Sequence, residues 1–590
     1  MQRLEELRRE SERITLEICE LKIGRNRTVP ISRIPAEVLG SIFEAYVANH
    51  WREYTSSLEK HSGRSRVSPY AWFRSILHVC HDWRDIAFLT HRIWTRIVPT
   101  RPSCVKFMLT YTGQLPLDML VSRSPGKGSD ARAMNAQRRM LEELVRMRIA
   151  QLSISARSYL QLRTMDSGVY ELVIEELLVD MLIGHDSISV LSAAEMPSLI
   201  SLEIRGGSVK LLNSLQRPSL TSLSFSTGDT VRTGELTSAL AQLSFLRHLH
   251  LSLGLEDFDF PPEDLGDAHT VQLRLLESLF IKGHICQVAA FFELLRIPQD
   301  TSVHLSLDYD EVSAHQYDAA VGSIMAKMER TGAAAPERTA PILQPRSMAI
   351  NRCRRGQTDA LSVQLWPVVC DWEDETEERP NEPKPRFQLS TKCNSFGILT
   401  IKDLLSLLMK RVDLSELVGL RIALALPAGE WSEHLHRHNL SKLENLWLYG
   451  TDVTEGFLRV LAMSIFPLRP GSLAREWYYL IPNLRSVYIV SAFLRDSPDP
   501  WSRNFMHVPR FKSLLESRTA LARKLNALIL VSCFNVRDDD LVAFNQFTEH
   551  ACRAIRCTDW DSGFLPESDA KYEGDLSFEV DSDSDDDEIF

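Results

Sequence analysis

The residues best suited by type to chemistry in this chain are three histidines at alternate positions, His434, His436 and His438. If they lay on a strand, alternation would turn all three imidazoles to one face, where they could bind a zinc ion. The residues around them are polar, which favours a solvated helix or loop over a strand. The sequence therefore predicts no metal site here.

Two further patterns match catalytic motifs only in part. Gly126-Lys127-Gly128 lacks the upstream glycine and the Ser or Thr directly after the lysine that a phosphate-binding loop requires. Cys80 falls on the apolar face of a predicted helix, which indicates a buried structural thiol. No nucleophile elbow, dinucleotide fingerprint or RING-like cysteine pattern is present. We therefore expect a chain that is not an enzyme, with no catalytic residue, no cofactor and no metal.

The C-terminal segment suggests one modification chemistry. Between Asp559 and Phe590 there are thirteen acidic residues and one lysine, a local charge of −12, so the remainder of the chain, at −11 + 12 = +1, is nearly neutral. Ser582 and Ser584 each have an aspartate three residues on, a context that suits phosphorylation by an acid-directed kinase. The alternative is that residues 557–590 form only a solubilising, disordered acidic tail. The balanced charge elsewhere predicts no nucleic-acid partner.

The element around which the chain is organised is a pair of amphipathic stretches between Ile34 and Ile97. Pro35 stands where a helix would begin, at a position whose missing N–H costs nothing. The apolar residues behind it recur at helical spacing, and a second apolar face runs from Ile76 to Ala87. Two short helices with such wide apolar faces must bury them against further protein, part of which a partner can supply.

This stretch resembles an F-box, the three-helix module that attaches a substrate receptor to the Skp adaptor of cullin-RING ubiquitin ligases. The resemblance rests on Ile34-Pro35-x-Glu37-Val38-Leu39-x-x-Ile42-Phe43, on Val79-Cys80-x-x-Trp83-Arg84 and on Trp94 followed by Ile97. It is closest to the fungal F-box-like proteins, whose two halves are often separated by an insertion. Here Ala48 to Pro69 would be that insertion. The alternative is a generic helical hairpin with a tryptophan in its core.

The resemblance implies an F-box-like domain at 26–100 that docks on a Skp-family adaptor and, through it, on a cullin. Carried over position by position, the adaptor-binding residues would be Ile34, Pro35, Val38, Leu39, Ile42, Phe43, Leu77, Val79, Cys80 and Trp83. A receptor of this kind positions its target and breaks no bond itself.

Behind this stretch a short unit recurs with apolar residues at its first, fourth and sixth positions. In a first block, 146–313, the units begin at Ile149, Ile174, Leu199, Leu220, Leu246 and Leu276, with a fainter copy at Val303. In a second block, 398–556, they begin at Leu417, Leu443, Leu484 and Leu525. Starts 21 to 30 residues apart in the first block are typical of leucine-rich repeats, in which each unit adds one strand to a stacked parallel sheet. The alternative is an unrelated α/β fold.

Three other segments complete the chain. Residues 1–25 form a predicted heptad helix that either pairs two copies of the chain or packs on its body, with apolar residues at Leu4, Leu7, Ile14, Ile18 and Leu21. Residues 101–145 are a predicted connector with a strand at Val105–Leu109 and another near Met119. Residues 314–397, rich in proline and acids, are a predicted low-complexity insert, mostly loop, with an embedded strand at Leu361–Val369.

The composition is that of an ordinary globular protein, with 44% hydrophobic and 25% charged residues among 590. No apolar run reaches the about eighteen residues of a membrane span, and the charged N-terminus is unlike a signal peptide. Ten cysteines without a Cys-x-x-Cys pair favour reduced thiols. We therefore expect a protein of the cytoplasm or nucleus with no membrane partner.

These features predict an α/β chain made of an N-terminal helix, a three-helix F-box and a leucine-rich-repeat solenoid with a parallel sheet, interrupted by a long insert. The expected function is that of a substrate-recognition subunit of an SCF-type ubiquitin ligase, whose repeats bind an unknown protein target. The alternative is an interaction scaffold that uses the same two parts outside a ligase.

Overall fold

In the computed structural model the chain divides into two compact units, residues 1–337 and 338–590. Several predicted features lie outside the residues that the structure describes. They are the 557–590 tail, which contains Ser582 and Ser584, the histidine at His436, and the tripeptide Gly126–Gly128. The described residues are 2–60, 68–120, 135–136, 139–140, 143, 146–155, 174–182, 197–206, 209, 212, 219–255, 270–308, 314–333, 344–355, 358–370, 372, 384–393, 400–435, 438, 440–463, 481, 483–492, 511–513, 515–516, 519, 524–533 and 536–555.

The first unit begins with helices. In chain order they are α1 (Gln2–Thr28), a 3-10 turn (Pro30–Arg33), α2 (Ala36–Lys60), α3 (Trp72–Leu77), α4 (His81–Leu89), a second 3-10 turn (His91–Trp94) and α5 (Pro102–Tyr111). Helix α5 replaces the strand expected at Val105–Leu109, so that expectation was wrong. Pro102 is favourable in a first helical turn, and Val105 and Met108, three residues apart, bury one face of the helix.

A parallel sheet follows the helices of the first unit. Its strands are β1 (Arg96–Ile97), β2 (Leu117–Met119), β3 (Met147–Ser155), β4 (Glu176–Leu182), β5 (Ser201–Arg205), β6 (Ser222–Val231), β7 (His248–Leu255), β9 (Ser278–His284) and β11 (Ser302–Asp308), paired in that order. A separate short pair joins β8 (Val271–Gln272) to β10 (Leu295–Arg296). Helices α6 (Thr233–Ala241), α7 (Ile285–Leu294) and α8 (Ala314–Ala333) lie between or after these strands.

The repeat positions coincide across this sheet. Leu202 pairs in register with Leu223, Leu223 with Leu249 and Leu249 with Leu279, and all four side chains are at most 2% exposed. Side chains alternate along a strand, so the residues between these leucines point to the opposite face. The equivalent apolar positions of successive repeats thus form one continuous buried row.

The second unit also consists of strands and helices. Its elements are β12 (Ser347–Arg355), β13 (Thr358–Trp366), β14 (Phe387–Cys393), α9 (Ile401–Met409), β15 (Gly419–Ala423), α10 (Ala428–Leu435), β16 (Asn445–Tyr449), α11 (Thr451–Met463), β17 (Ser486–Val490), β18 (Leu525–Val531), α12 (Asp538–Asn545) and β19 (Thr548–Ile555). The strand order is β14-β13-β12-β15-β16-β17-β18-β19. The first two pairings are antiparallel and the others parallel.

The prediction that residues 314–397 are mostly loop was wrong. The segment contains α8 and the three strands β12, β13 and β14, where a low-complexity loop was expected. The embedded strand expected at Leu361–Val369 is present as β13. Short strands need only alternating apolar residues, such as Leu361, Val363 and Leu365, all at most 4% exposed. The flanking prolines and acids dominated the average composition and concealed that alternation.

Each unit is thus a mixed α/β assembly on a mostly parallel sheet, which confirms the predicted fold class at that level. None of the described helices is long and apolar enough to cross a bilayer.

Candidate functional site

Helices α2 to α5 form a small module around an aromatic core. Trp94 is 0% exposed, and its ring stacks on Phe88 with centroids 5.7 Å apart. Its indole N–H donates to the Ala87 carbonyl at 2.8 Å, which satisfies the one polar atom of the ring. The rings of Phe43 on α2 and Trp83 on α4 have centroids 5.1 Å apart. The module therefore has a core of its own.

The turn between α3 and α4 interrupts the amphipathic face that was expected from Ile76 to Ala87. Helix α3 ends at Leu77, and Cys80 is extended, with φ −158° and ψ 172°. The Arg84 guanidinium spans the break by donating from Nε to the Leu77 carbonyl at 3.0 Å. The extended residue shifts the helical phase, so Val79 leaves the buried face and is 51% exposed. Cys80 is half-buried rather than the fully buried thiol expected.

An apolar stripe is exposed on the outer side of α2. Val38, Ile42 and Tyr46 follow one another four residues apart and are 50%, 47% and 43% exposed. Residues at this spacing share one helical face. The Tyr46 hydroxyl donates to Ser75 Oγ at 3.0 Å, which holds the end of this α2 stripe beside α3.

The ten residues that the resemblance assigned to adaptor binding fall into three groups. The exposed group is Pro35, Val38, Ile42 and Val79; the half-buried group is Ile34, Cys80 and Trp83; the buried group is Leu39, Phe43 and Leu77. The buried group cannot touch another protein in this structure and instead supports the surface from beneath. Adjacent residues on a helix differ by about 100° in direction, so Val38 and Leu39 cannot both face outward.

Tyr46 is not among the predicted adaptor-binding residues, although its four-residue spacing from Ile42 is the signal for it. An insertion was also expected at Ala48–Pro69, separating the two halves of the F-box-like stretch. Much of that segment is the second half of α2, which continues as helix to Lys60. Tyr54, 4% exposed, shows that this half of the helix is packed.

Helix α1 presents a second apolar surface. Every described side chain from Arg3 to Lys22 is exposed, so the alternative in which the helix packs on the body is not what the structure shows. The five heptad residues are between 44% and 74% exposed. Ion pairs within the helix, such as Arg13 to Glu10 at 2.7 Å, support it locally but contribute little.

The strands of the two units differ on the face opposite to their buried leucine side chains. In the second unit that face is covered by aromatic residues of the chain itself. Trp447 and Tyr488, 2% and 6% exposed, stack with centroids 4.8 Å apart, and Trp372 meets Trp447 edge-on at 4.7 Å. The Cys370 N–H donates to Ser347 Oγ at 2.8 Å. The segment after β13 thus lies on the sheet and occupies the face.

In the first unit the corresponding face is accessible. Across β7, β9 and β11 the rings of His250, Phe280 and His304 stand in register, with centroids 4.1 Å and 4.6 Å apart. Burial of the ring, and then the neighbouring His250, lowers the pKa of His304 to about 4. Burial and the charge of Lys282 also lower the pKa of His250.

Acid should destabilise the first unit through His304. Because its pKa in the folded chain is about 4, below about 6.5 in an unfolded chain, the unfolded chain binds more protons between these values. The stability is complete above about pH 6.5 and is lost as the pH falls toward 4. Hydrogen exchange of the β9 and β11 peptides at about pH 7.5 and about pH 4.5, corrected for the intrinsic exchange rate at each pH, should show a loss of local stability. His304→Gln should reduce this loss by about 1 kcal/mol, since the ring keeps some solvent contact. An equal loss in both proteins would contradict this assignment.

Among the residues that the structure describes, no group of three or more metal-ligating side chains occurs. His434 lies in α10 and is 2% exposed, so the expectation of a solvated helix was wrong for this residue. Its neighbour Trp431 is fully buried on the same helix. The side chain of His434 therefore belongs to the packing of α10.

No protein-family model matches the chain, and no curated protein matches it either.

Proposed function

We propose that this protein is the substrate-recognition subunit of an SCF-type cullin-RING ubiquitin ligase. In this proposal residues 26–100, which contribute α2 to α4 to the module, are an F-box that binds a Skp-family adaptor. The stacked strands are a leucine-rich-repeat solenoid that binds the target. The chain then acts by raising the effective concentration of the target near a ubiquitin-conjugating enzyme held by the cullin. It needs no catalytic residue of its own.

The α2 stripe is the observation that carries the proposal. A small module with a complete aromatic core has no folding reason to leave Val38, Ile42 and Tyr46 about half exposed. Contiguous exposed apolar side chains of this kind mark protein interaction sites. Pro35 and Val79 are also exposed, at positions where the F-box resemblance expects adaptor contacts.

The second part of the proposal concerns the target. A parallel sheet built from repeats offers a row of side chains on each strand, and an accessible sheet face can bind an extended surface of another protein. Of the two faces described above, that of the first unit is accessible and that of the second is covered by Trp372, Trp447 and Tyr488. The first unit is therefore the better candidate for holding the target.

A reducing compartment suits this proposal. None of the cysteines whose side chains the structure describes is in a disulfide. Ubiquitin ligases of this class work in the cytoplasm and nucleus, where thiols stay reduced.

Affinity purification of the tagged full chain tests the proposal. The expected result is capture of a Skp-family adaptor together with a cullin, identified by mass spectrometry. Capture of the adaptor without a cullin would favour the interaction scaffold over the ligase subunit. Capture of neither would overturn the assignment of the module.

The heptad stripe of α1 predicts that two copies of the chain pair through this helix, since nothing described covers it. Replacing Leu7 and Leu21 by aspartate places charges in the centre of a paired helix seam and should convert a dimer to a monomer. Light scattering after size-exclusion chromatography measures the mass directly. Leu16→Asp, at a position 67% exposed outside the stripe, is the matched control and should leave the dimer intact. A monomeric wild-type chain at micromolar concentration would contradict the prediction.

A further inference from the structure

The accessible face of the first sheet has an unusual composition on its last four strands. Three outward positions on each of β6, β7, β9 and β11 lie in register, and of these twelve residues seven are serine, three histidine, one phenylalanine and one lysine. All twelve are exposed or half-buried. Serine is not among the β-branched and aromatic residues that are enriched in strands. Folding alone does not call for this choice. We call these residues the serine–histidine face: Ser222, Ser224, Ser226, His248, His250, Ser252, Ser278, Phe280, Lys282, Ser302, His304 and Ser306.

None of the twelve residues of the serine–histidine face is a carboxylate, and the next outward position on β11 beyond the face is Asp308. Earlier strands of the same sheet differ, because Glu176 of β4 and Glu203 of β5 occupy outward positions there. Glu203 is paired with Arg205 on its own strand. On the serine–histidine face the single formal charge is that of Lys282, to which the described residues give no ion pair. The residues directly opposite Lys282 on the neighbouring strands, Ser252 and Ser306, carry no charge, so its positive charge is available to an incoming anion.

The serine–histidine face is not flat. His250, Phe280 and His304 form a ridge of rings that crosses the strands. The next row toward the C-terminal ends of the strands consists of Ser226, Ser252, Lys282 and Ser306. Because neighbouring strands are about 4.8 Å apart, this low row is about 15 Å long, enough for a few residues of extended peptide. Hydroxyl and ammonium donors therefore line a shallow trough with an aromatic wall on one side.

We propose that the serine–histidine face binds an acidic peptide segment of the target, with an anionic side chain at Lys282 and the hydroxyl donors, and an apolar or aromatic neighbour against Phe280. Carboxylates and phosphate groups share the chemistry that these donors recognise. This inference rests on the proposed function only in calling the ligand a target, because the face lies on the sheet and the adaptor surface on the helical module.

Fluorescence anisotropy with the full-length protein tests the proposal. The probe is a labelled aspartate-rich peptide containing a tyrosine, compared with an asparagine-rich peptide of the same length and with a version in which phosphoserines replace aspartates. The aspartate peptide should bind about tenfold more tightly than the asparagine peptide. Tighter binding of the phosphoserine peptide would identify a phosphorylated segment, and comparable binding an acidic one; both support the site.

Lys282→Glu should weaken binding of the aspartate peptide about tenfold, and Lys282→Arg should restore most of it. Lys106→Glu on α5 makes the same change in net charge at an exposed lysine away from the face and should leave binding unchanged. Equal effects of the two charge reversals, equal binding of the aspartate and asparagine peptides, or displacement of the peptide by single-stranded DNA would overturn the proposal. Adaptor capture by the same variants is measured in parallel, so failure of the peptide site is distinguished from failure of the ligase assignment.

Discussion

The double substitution Val38→Glu and Ile42→Glu is expected to lower the affinity for a Skp-family adaptor at least about a hundredfold. Both side chains are about half exposed on the α2 stripe, so in a complex they would lie in the apolar centre of the interface. Burying two unpaired carboxylates there costs several kcal/mol, because each loses water without gaining a partner. Binding of purified adaptor to the full-length protein, measured by titration calorimetry, gives the change directly.

Because Val38 and Ile42 are exposed, their substitution should change the affinity for the adaptor without changing the stability of the chain. Exposed substitutions outside special backbone positions change stability by about 0.5 kcal/mol or less, so the double variant should melt like the wild type. Val542→Glu is the matched control, because Val542 on α12 is 71% exposed and the change adds the same kind of charge away from the module. If the double variant binds the adaptor as tightly as this control does, the α2 stripe is not the docking surface.

Truncation of the module core is expected to have the largest effect on stability. Trp94→Ala should cost about 3–5 kcal/mol, because it removes a fully buried indole and leaves a cavity among the surrounding rings. It also leaves the Ala87 carbonyl without the indole donor at 2.8 Å. Since the chain has two units, a single unfolding free energy is not well defined. Hydrogen exchange followed by mass spectrometry on the peptides of α2 and α4 measures the local loss instead.

Leu89→Ala is the control for this truncation. Leu89 lies on α4, close in sequence to Ala87, but its side chain is 76% exposed, so its removal should leave hydrogen exchange in α2 and α4 unchanged. Trp94→Phe keeps much of the ring volume and should lose less protection than Trp94→Ala. Unchanged protection in Trp94→Ala would show that the aromatic cluster does not hold the module together, and the α2 stripe would then lose its rigid support.

The two sets of variants separate the parts of the proposed adaptor surface. Val38 and Ile42 act by contact and should change affinity without changing stability. Trp94 acts by holding α4 and should change both. The buried members of the assigned set, Leu39, Phe43 and Leu77, belong with Trp94, because each is at most 9% exposed. Alanine at those positions would therefore not by itself identify the docking surface.

The sequence by itself determined the strands of the repeats and the apolar spacing of α2 from Val38 to Phe43. Apolar residues at the fourth and sixth positions of each unit can be buried together only on one face of a strand, so the leucine rows followed from spacing alone. The helical spacing from Val38 to Phe43 likewise required one face to be apolar. These features are local, because they depend on how residues close in sequence share a face.

Only the tertiary structure decided which apolar residues remain exposed. Val79 and Leu77 are two residues apart and equally apolar, but the break before α4 leaves one exposed and the other buried. The closed face in the second unit depends on contact between Trp372 and Trp447, which are far apart in sequence, and no local pattern records that contact. Exposure is set by which distant segments pack on a surface, and for that reason spacing predicted the elements of this protein but not its accessible faces.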